Sequence, residues 1–527
     1  MIAGLIHLGY IRLSSILATS LSAMKAELDT IRELSRAIAS LHTSPPPTSV
    51  LPAQEALSHA RASLKQALSE IGAGLEDTIR HLTEDLGPAL NASSRSANYY
   101  GFVTGGSTPA ASLADNLVTH FDQNVQVHLP NETLATEVED RALTLLCSLL
   151  DLSPMQWPHR TFTTGATASN ILGLACGREY IIAEASAHRT DAEVSVGEHG
   201  VVEAMRLAGI DKIQILTTVP HSSLSKAASV LGLGRSCVSL IGRSDAPHKF
   251  DMDLLQKHLA LPGAASIVAV SASEVNTGLF ATSSFEEMQS IRKLCDMYGA
   301  WIHVDGAFGI LARLLPSIPQ YQTIKDATAG LEVADSITGD GHKLLNVPYD
   351  CGFFLSRHRA LAERVFKNPN AAYLAAAVEG DEIMSPLNIG LENSRRFRAL
   401  PVYASLVSYG KKGYRDMLQR QIALSRGIAE YILENDSFEL LPRFEGTMEA
   451  AIKNVYIIVL FRAKDEELNK QLVNKIKAGK RIYVSGTSWE GKPACRFAVS
   501  NWMVDVDRDL PVIKQVLQDI ARDQVRA

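Results

Sequence analysis

Between about residues 130 and 385, short runs rich in β-branched residues alternate with stretches whose apolar positions recur at helical spacing. The runs "IQILTTV" (213–219), "SIVAVSAS" (266–273), "WIHVD" (301–305) and "GFFLS" (352–356) are apolar on both faces, the pattern of strands covered on each side. The intervening segments "SLSKAASVLG" and "SFEEMQSIRKLCDMYG" are amphipathic with a helical period. This alternation predicts an α/β fold with a mostly parallel central sheet. Ligands of such sheets lie at the carboxyl ends of the strands, so the polar residues just after each strand bear most on function.

Residues 1–95 read as helices interrupted by "TSPPPTSVLP" (43–52), where proline stops a helix. A helical arm of this kind buries little by itself and is expected to pack on the main body or on a second subunit. Beyond about residue 400 come strand "NVYIIVLF" (454–461), a helix, strands "RIYVSG" (481–486) and "ACRFAVSN" (494–501), and a helix over 507–522. The expected division is an N-terminal helical arm (1–95), a large α/β domain (96–400) and a small C-terminal α+β domain (401–527).

Composition narrows the classes. With 527 residues, 46% hydrophobic and 20% charged, the chain is an ordinary globular one, too long for a single core. A net charge of -6 and the lack of a long basic run give nucleic-acid binding no electrostatic support. The six cysteines, at 147, 176, 237, 295, 351 and 495, form no C-x-x-C pair or metal-like spacing. They point to free thiols in a reducing, cytoplasmic compartment and to no metal site. The apolar start "MIAGLIHLGYIRLSSILATSL" contains His7 and Arg12 and repeats at helical spacing, so it reads as a packing helix and not a membrane anchor.

Four polar features stand out against this frame. In "TFTTGATASNILGLACGREY" (161–180), Thr164, Gly165, Ala166 and Thr167 precede a run of helix formers. Free N–H groups at that helix start suit a phosphate, although a threonine-capped helix gives the same pattern. His221 follows the strand "IQILTTV", just before a helix whose expected cap is Ser222 or Ser223. Asp305 ends "WIHVD", either as a turn cap or as a buried carboxylate facing a positive partner. Lys343 follows His342 in "DSITGDGHKLLN" (335–346), which reads as a glycine-bearing polar turn. Each alone has a plain structural explanation. Together, in this order and at one edge of one sheet, they form the set that pyridoxal phosphate needs: a lysine for the Schiff base, an acid for the pyridine nitrogen and an anchor for the phosphate.

From about residue 95 to 510 the chain resembles the pyridoxal-phosphate-dependent group II amino-acid decarboxylases. "TTGATASN" resembles the family's T-S-G-G-T-x-A-N turn, and "PHSSLSKAASVLGLG" its H-S-S-x-x-K-A-x-x-x-L-G. "HVDGAFG" resembles H-V-D-A-A-x-G, "DSITGDGHKLL" resembles D-S-x-x-x-x-x-H-K-W, and "SRRFRALPVYASL" (394–406) resembles R-R-F-R-A-L-x-x-W. The resemblance implies an aspartate-aminotransferase-like fold of type I, pyridoxal 5'-phosphate as cofactor, and a homodimer with shared active sites. It implies an enzyme that releases CO2 from an L-amino acid to give the amine.

Residue by residue, the resemblance implies Lys343 as the Schiff-base lysine, Asp305 against the pyridine nitrogen, Ala307 beneath the ring and His221 stacked upon it. Gly165, Ala166 and Thr167 would hold the phosphate, with Ser336 and His342 assisting. Asn276 would lie near the cofactor in "SEVNTG" (273–278), where the family has G-T-T-x-x-G. Tyr373, in "NPNAAYLAAAVEGDEIM" (368–384), matches the mobile-loop tyrosine that returns a proton after CO2 leaves. Phe102, Val103 and Thr104 align with the substrate wall, and Gln123 and Asn124 suit a polar substrate, whose identity stays open. Asp340 stands where many members have asparagine. Two other reactions on this fold are alternatives: carbon–carbon lyase chemistry, as in sphingosine-phosphate lyases, and oxidative formation of an aldehyde. The run "HKLLNVPYDCGF" weighs against the first, and Tyr373 with His221 against the second.

Overall fold

The computed structural model describes residues 47–187, 189, 191, 193–368 and 383–526, with scattered positions between 24 and 39. The apolar N-terminal stretch and Tyr373 therefore lie outside the described residues. The chain forms two compact units, Met1–Ser96 and Ala97–Ala527. In the first, the proline-rich segment leads into helices α1 (Gln54–Ser63) and α2 (Leu75–Arg80). Among the described residues no helix is long and apolar enough to cross a membrane.

The second unit contains two sheets. The larger has seven strands in the order β2-β8-β7-β6-β5-β3-β4. These are β2 (His159–Thr163), β3 (Lys212–Thr217), β4 (Val238–Leu240), β5 (Ala264–Ser271), β6 (Trp301–Asp305), β7 (Ser336–Asp340) and β8 (Gly352–Ser356). Neighbours from β7 to β4 run parallel, whereas β8 is antiparallel to both β7 and β2. "GFFLS" thus departs from the parallel arrangement its apolar faces suggest. Only Gly341–Cys351 separates β7 from β8, and a parallel return needs a crossover of about a dozen residues or more. The polar stretch before Lys343, which reads as a turn, is the wholly buried strand β7.

Helix α3 (Ala166–Ala187) lies across the sheet and is buried along much of its length. Two of its glycines permit this close packing. A Cβ at Gly173 would come within 2.3 Å of the His303 ring, and one at Gly177 within 2.8 Å of the Trp301 indole. Ile267, Val268, Val270, Trp301, Ile302 and Val304 are buried between the layers. Each large apolar side chain so buried is worth about 1.5–3 kcal/mol. This core holds the strand ends in fixed register.

The smaller sheet runs β1-β11-β12-β10-β9. Its members are β1 (Tyr99–Tyr100), β9 (Phe438–Leu441), β10 (Ile458–Ala463), β11 (Tyr483–Trp489) and β12 (Lys492–Ala498). β1 pairs in parallel with β11, so a segment far ahead in the sequence completes the C-terminal sheet. Helix α7 (Ala399–Glu434), bent at Gly410 with φ 56°, connects the two sheets along the chain. Shorter helices include α4 (Ser222–Val230), α5 (Phe285–Met297) and α6 (Gly341–Leu344).

Candidate active site

β2 lies antiparallel to β8, and β8 antiparallel to β7, so β2 points the same way as the parallel strands. The carboxyl ends of β2, β3, β5, β6 and β7 therefore share one edge. Thr164–Thr167, His221, Glu274, Asp305, Ala307 and the pair His342–Lys343 all line a single cavity of about 260 Å³ at that edge.

β7 passes straight into the single turn α6, which turns Lys343 back over the strand end. Lys343 Nζ lies 2.8 Å from Asp340 Oδ2 and 5.5 Å from the centre of the Phe308 ring. Asp340 Oδ1 accepts a 2.6 Å hydrogen bond from the Ala166 N–H, the first residue of α3. The carboxylate thus sits on the helix start where a phosphate is expected, and it neutralises the lysine at the same time. Gly165 permits this crowding: a Cβ there would meet His342 Cε1 at 3.3 Å and Asp340 Oδ1 at 3.4 Å. His342 accepts from the Cys351 N–H at 3.3 Å, and its ring lies 4.4 Å from that of Tyr349. Burial lowers the pKa of His342, with Asp340 opposing that shift.

A second cluster surrounds Asp305. Its Oδ1 accepts from the Ala307 N–H at 3.2 Å and its Oδ2 from Asn170 Nδ2 at 3.1 Å. Asn170 also donates to Ser223 Oγ at 3.0 Å, and its Oδ1 is 2.9 Å from His303 Nε2. His303 is fully buried, and burial pushes its pKa down to about 4, so it is neutral at physiological pH. His221 Nδ1 lies 2.7 Å from Ser223 Oγ and accepts from the Ser223 N–H at 3.2 Å. His221 is therefore the N-cap of α4, a role expected of Ser222 or Ser223. Desolvation by surrounding protein lowers its pKa, with Lys343 and Arg496 acting the same way and Asp305 and Asp340 opposing.

Several expected residues lie elsewhere. Ser336 opens β7 and bonds Trp301 Nε1 at 3.1 Å and His303 Nδ1 at 2.8 Å. It does not line the cavity, because four residues of strand, roughly 13 Å, separate it from Asp340. Asn276 is also absent from the lining, since its Oδ1 accepts from Thr487 on β11 at 2.9 Å. Glu274 and Val275 line the cavity in its place. Gln123 accepts from Thr133 at 2.9 Å and Asn124 from the Arg395 N–H at 3.0 Å, so both tie loops together. Phe102 is exposed, and Val103 and Thr104 are buried outside the cavity wall. Their loop nevertheless abuts Lys343: a Cβ at Gly105 would fall 1.8 Å from the Lys343 carbonyl oxygen.

Other residues that shape the site did not stand out in the sequence. Asn170 and His303 join helix α3 to β6, and a histidine inside an apolar strand was the available signal. Arg496, on β12, is buried and donates to the Phe102 carbonyl, while its Nε has no hydrogen-bond partner among the described residues. Burial lowers its pKa to about 10, opposed by Glu274. Asn346, at φ 53°, donates to the carbonyls of Gly105 at 2.6 Å and Ser500 at 2.8 Å, so it ties the end of the Lys343 turn to both.

The donor set suits pyridoxal phosphate. An amine, a strand-end carboxylate held by an amide, and a glycine-lined helix start face one cavity of small-molecule size. Residues 58–456 match the family described as "Pyridoxal-dependent decarboxylase conserved domain". The chain is 26% identical over 367 residues to L-2,4-diaminobutyrate decarboxylase of Acinetobacter baumannii, spanning 68% of each chain. It is 27% identical over 253 residues to 3,4-dihydroxyphenylacetaldehyde synthase of Drosophila melanogaster, spanning 47% of this chain and 46% of that one. In structure it matches the glutamate decarboxylase domain of a diaminobutyrate-pyruvate transaminase and L-2,4-diaminobutyrate decarboxylase from Vibrio parahaemolyticus. The TM-score is 0.73 at 21% identity, covering 94% of this chain and 95% of that one. That likeness establishes the fold, which is the type I fold expected, and the matched span establishes the lineage: the chain belongs to the pyridoxal-dependent decarboxylase family.

Proposed function

We propose that the chain removes CO2 from an L-amino acid and releases the amine, using pyridoxal phosphate held by Lys343. The observation that carries this reading is the convergence of Lys343, Asp305, His221 and the Gly165–Thr167 turn on one cavity. Bound pyridoxal phosphate supplies an electron sink for the pair left behind when CO2 departs. The chain's own groups do the rest. Asp305, an anion fixed by Asn170 and the Ala307 N–H, holds a proton on the pyridine nitrogen. Thr167, in the first turn of α3, would hold the phosphate with its N–H, beside the Ala166 N–H that Asp340 occupies, and His342 would flank it. His221 covers one face of the cavity and meets the substrate carboxylate. Tyr373 returns a proton to the carbon that lost CO2.

Other features of the reading have their own support. The helix Pro109–Phe121 exposes Leu113, Leu117 and Phe121 at four-residue spacing, an apolar stripe suited to the interface of a homodimer. All six cysteines are free and buried, in keeping with a reducing, cytoplasmic setting. The test is a panel of amino acids offered to the pyridoxal-phosphate-loaded protein, with CO2, amine, aldehyde and hydrogen peroxide measured together. CO2 with an equal yield of amine, lost in Lys343→Ala, is the expected result. Absence of CO2 from every amino acid contradicts the reading. Aldehyde with peroxide in place of amine keeps the carboxyl loss and changes the product to an aldehyde, the kind of compound for which the Drosophila melanogaster relative is named.

A further inference from the structure

The polarity of the hydrogen bonds around Asp305 settles the state of His221. Asp305 can only accept, so the group of Asn170 that faces it is the NH2, and the Asn170 oxygen faces His303. The opposite placement of that amide would set its oxygen against a carboxylate. His303 Nε2 must then carry the hydrogen. Because His303 is neutral, its Nδ1 accepts from the Ser336 O–H, and Ser336 in turn accepts from the Trp301 indole N–H, a group that can only donate.

The other branch follows from the second hydrogen of the Asn170 amide, which goes to Ser223 Oγ. Ser223 Oγ also lies 2.7 Å from His221 Nδ1, and because that nitrogen accepts from the Ser223 backbone N–H, the Ser223 O–H is a donor to it as well. The Ser223 backbone N–H points to the same nitrogen at 3.2 Å. Two donors converge on Nδ1, which therefore carries no hydrogen. The neutral ring keeps its hydrogen on Nε2, and among the described residues none bonds that nitrogen. Protonating Nδ1 would oppose both donors and break the cap of α4, at a helix end that already disfavours positive charge.

We propose that Asn170 and Ser223 are positioning residues that lock His221 as a neutral imidazole offering only an Nε2–H donor to the cavity. His221 then binds and orients an acceptor, such as the substrate carboxylate, and takes no proton during the reaction. This role rests on the decarboxylase reading, but the state of the ring does not.

The test is 15N NMR of the full chain labelled at histidine, with and without pyridoxal phosphate. The His221 signals are assigned by their loss in His221→Gln or their shift in Ser223→Ala. The wild-type protein at pH 7 is expected to show the Nε2–H tautomer. In Ser223→Ala one donor to Nδ1 is gone, so the titration midpoint of His221 rises by roughly half to one pH unit, toward its ordinary value. That titration takes place in the combined field of Asp305, Asp340, Lys343 and Arg496, which the substitution leaves in place. Ser223→Ala also lowers kcat about tenfold with KM within about twofold, and Ser223→Thr restores it. An Nδ1–H tautomer, an imidazolium at pH 7, or an unmoved or lowered midpoint in Ser223→Ala overturns the proposal. An enzyme inactive on every amino acid but with the Nε2–H ring would refute the decarboxylase reading and leave the lock intact.

Discussion

Exchange of Asp340 for asparagine removes one negative charge from the helix start that would carry the cofactor phosphate. The new amide oxygen can still accept from the Ala166 N–H, now 2.6 Å from Asp340 Oδ1. The ion pair with Lys343, at 2.8 Å, is lost. Losing one partner of a fully buried pair costs about 3–5 kcal/mol, whereas an exposed pair contributes about 0–1. Asp340 is 5% exposed and Lys343 20%, so the cofactor-free protein should lose about 2 kcal/mol. In the loaded protein the sign reverses. Like unit charges about 5 Å apart repel by about 3 kcal/mol at an effective dielectric constant near 20, and asparagine relieves this. Both effects tighten binding. Because water reaches the cavity and weakens the repulsion, a 10- to 100-fold gain, about 1.4–2.8 kcal/mol, is the expected outcome. Equilibrium dialysis of the cofactor-free proteins measures it, with pyridoxal as the control lacking the phosphate. Pyridoxal keeps the effect of the lost ion pair but not the relief of repulsion, so it should gain less than pyridoxal phosphate. Weaker binding of pyridoxal phosphate by Asp340→Asn would refute the reasoning and make the carboxylate an anchor.

Asp305→Asn keeps a side chain of the same shape but loses the charge, so kcat should fall by about 10²–10³-fold while cofactor is retained; an unchanged kcat counts against its role. Glu139 and Arg395 form a buried ion pair with 5% and 3% exposed side chains, and Glu139→Ala should cost about 3–5 kcal/mol in chemical unfolding. A loss below about 1 kcal/mol would show that Arg395 finds another partner. His159 and His303 have pKa values pushed by burial from 6.5 down to about 4, so below pH 6.5 the unfolded chain binds more protons than the folded one. Stability is therefore lost as pH falls from about 6.5 toward 4, and the urea midpoint should be lower at pH 5 than at pH 7; an equal or higher midpoint contradicts this.

Most of the site was legible because its chemistry sits at strand ends. Asp305 closes a strand whose limits match "WIHVD" residue for residue, and Gly165–Thr167 and Lys343 lie where their motifs place them, on one edge of the sheet. The less legible parts depend on lateral packing. Ser336, Thr338 and Asp340 make β7 look polar, yet Ser336 is satisfied by a tryptophan and a histidine from the neighbouring strand. Asn170 and His303 are 133 residues apart, and no local pattern announces their bond. The arginines of "SRRFRALPVYASL" also found structural duties: Arg395 pairs with Glu139, Arg396 with Asp115 at 2.6 Å, and Arg398 with Asp350 at 2.8 Å. That motif marks the scaffold that carries the cavity and does not mark the cavity itself. The antiparallel course of β8 follows from the length of one link, which hydrophobic patterning does not encode.

The attachment of the cofactor is the claim on which the rest depends. Borohydride reduction of the pyridoxal-phosphate-loaded protein fixes the cofactor to its lysine as a stable secondary amine, and peptide mapping by mass spectrometry then locates it. The structure predicts a single phosphopyridoxyl group on the peptide containing Lys343. A modification confined to Lys249 or another lysine, or no modification at all, would contradict the account.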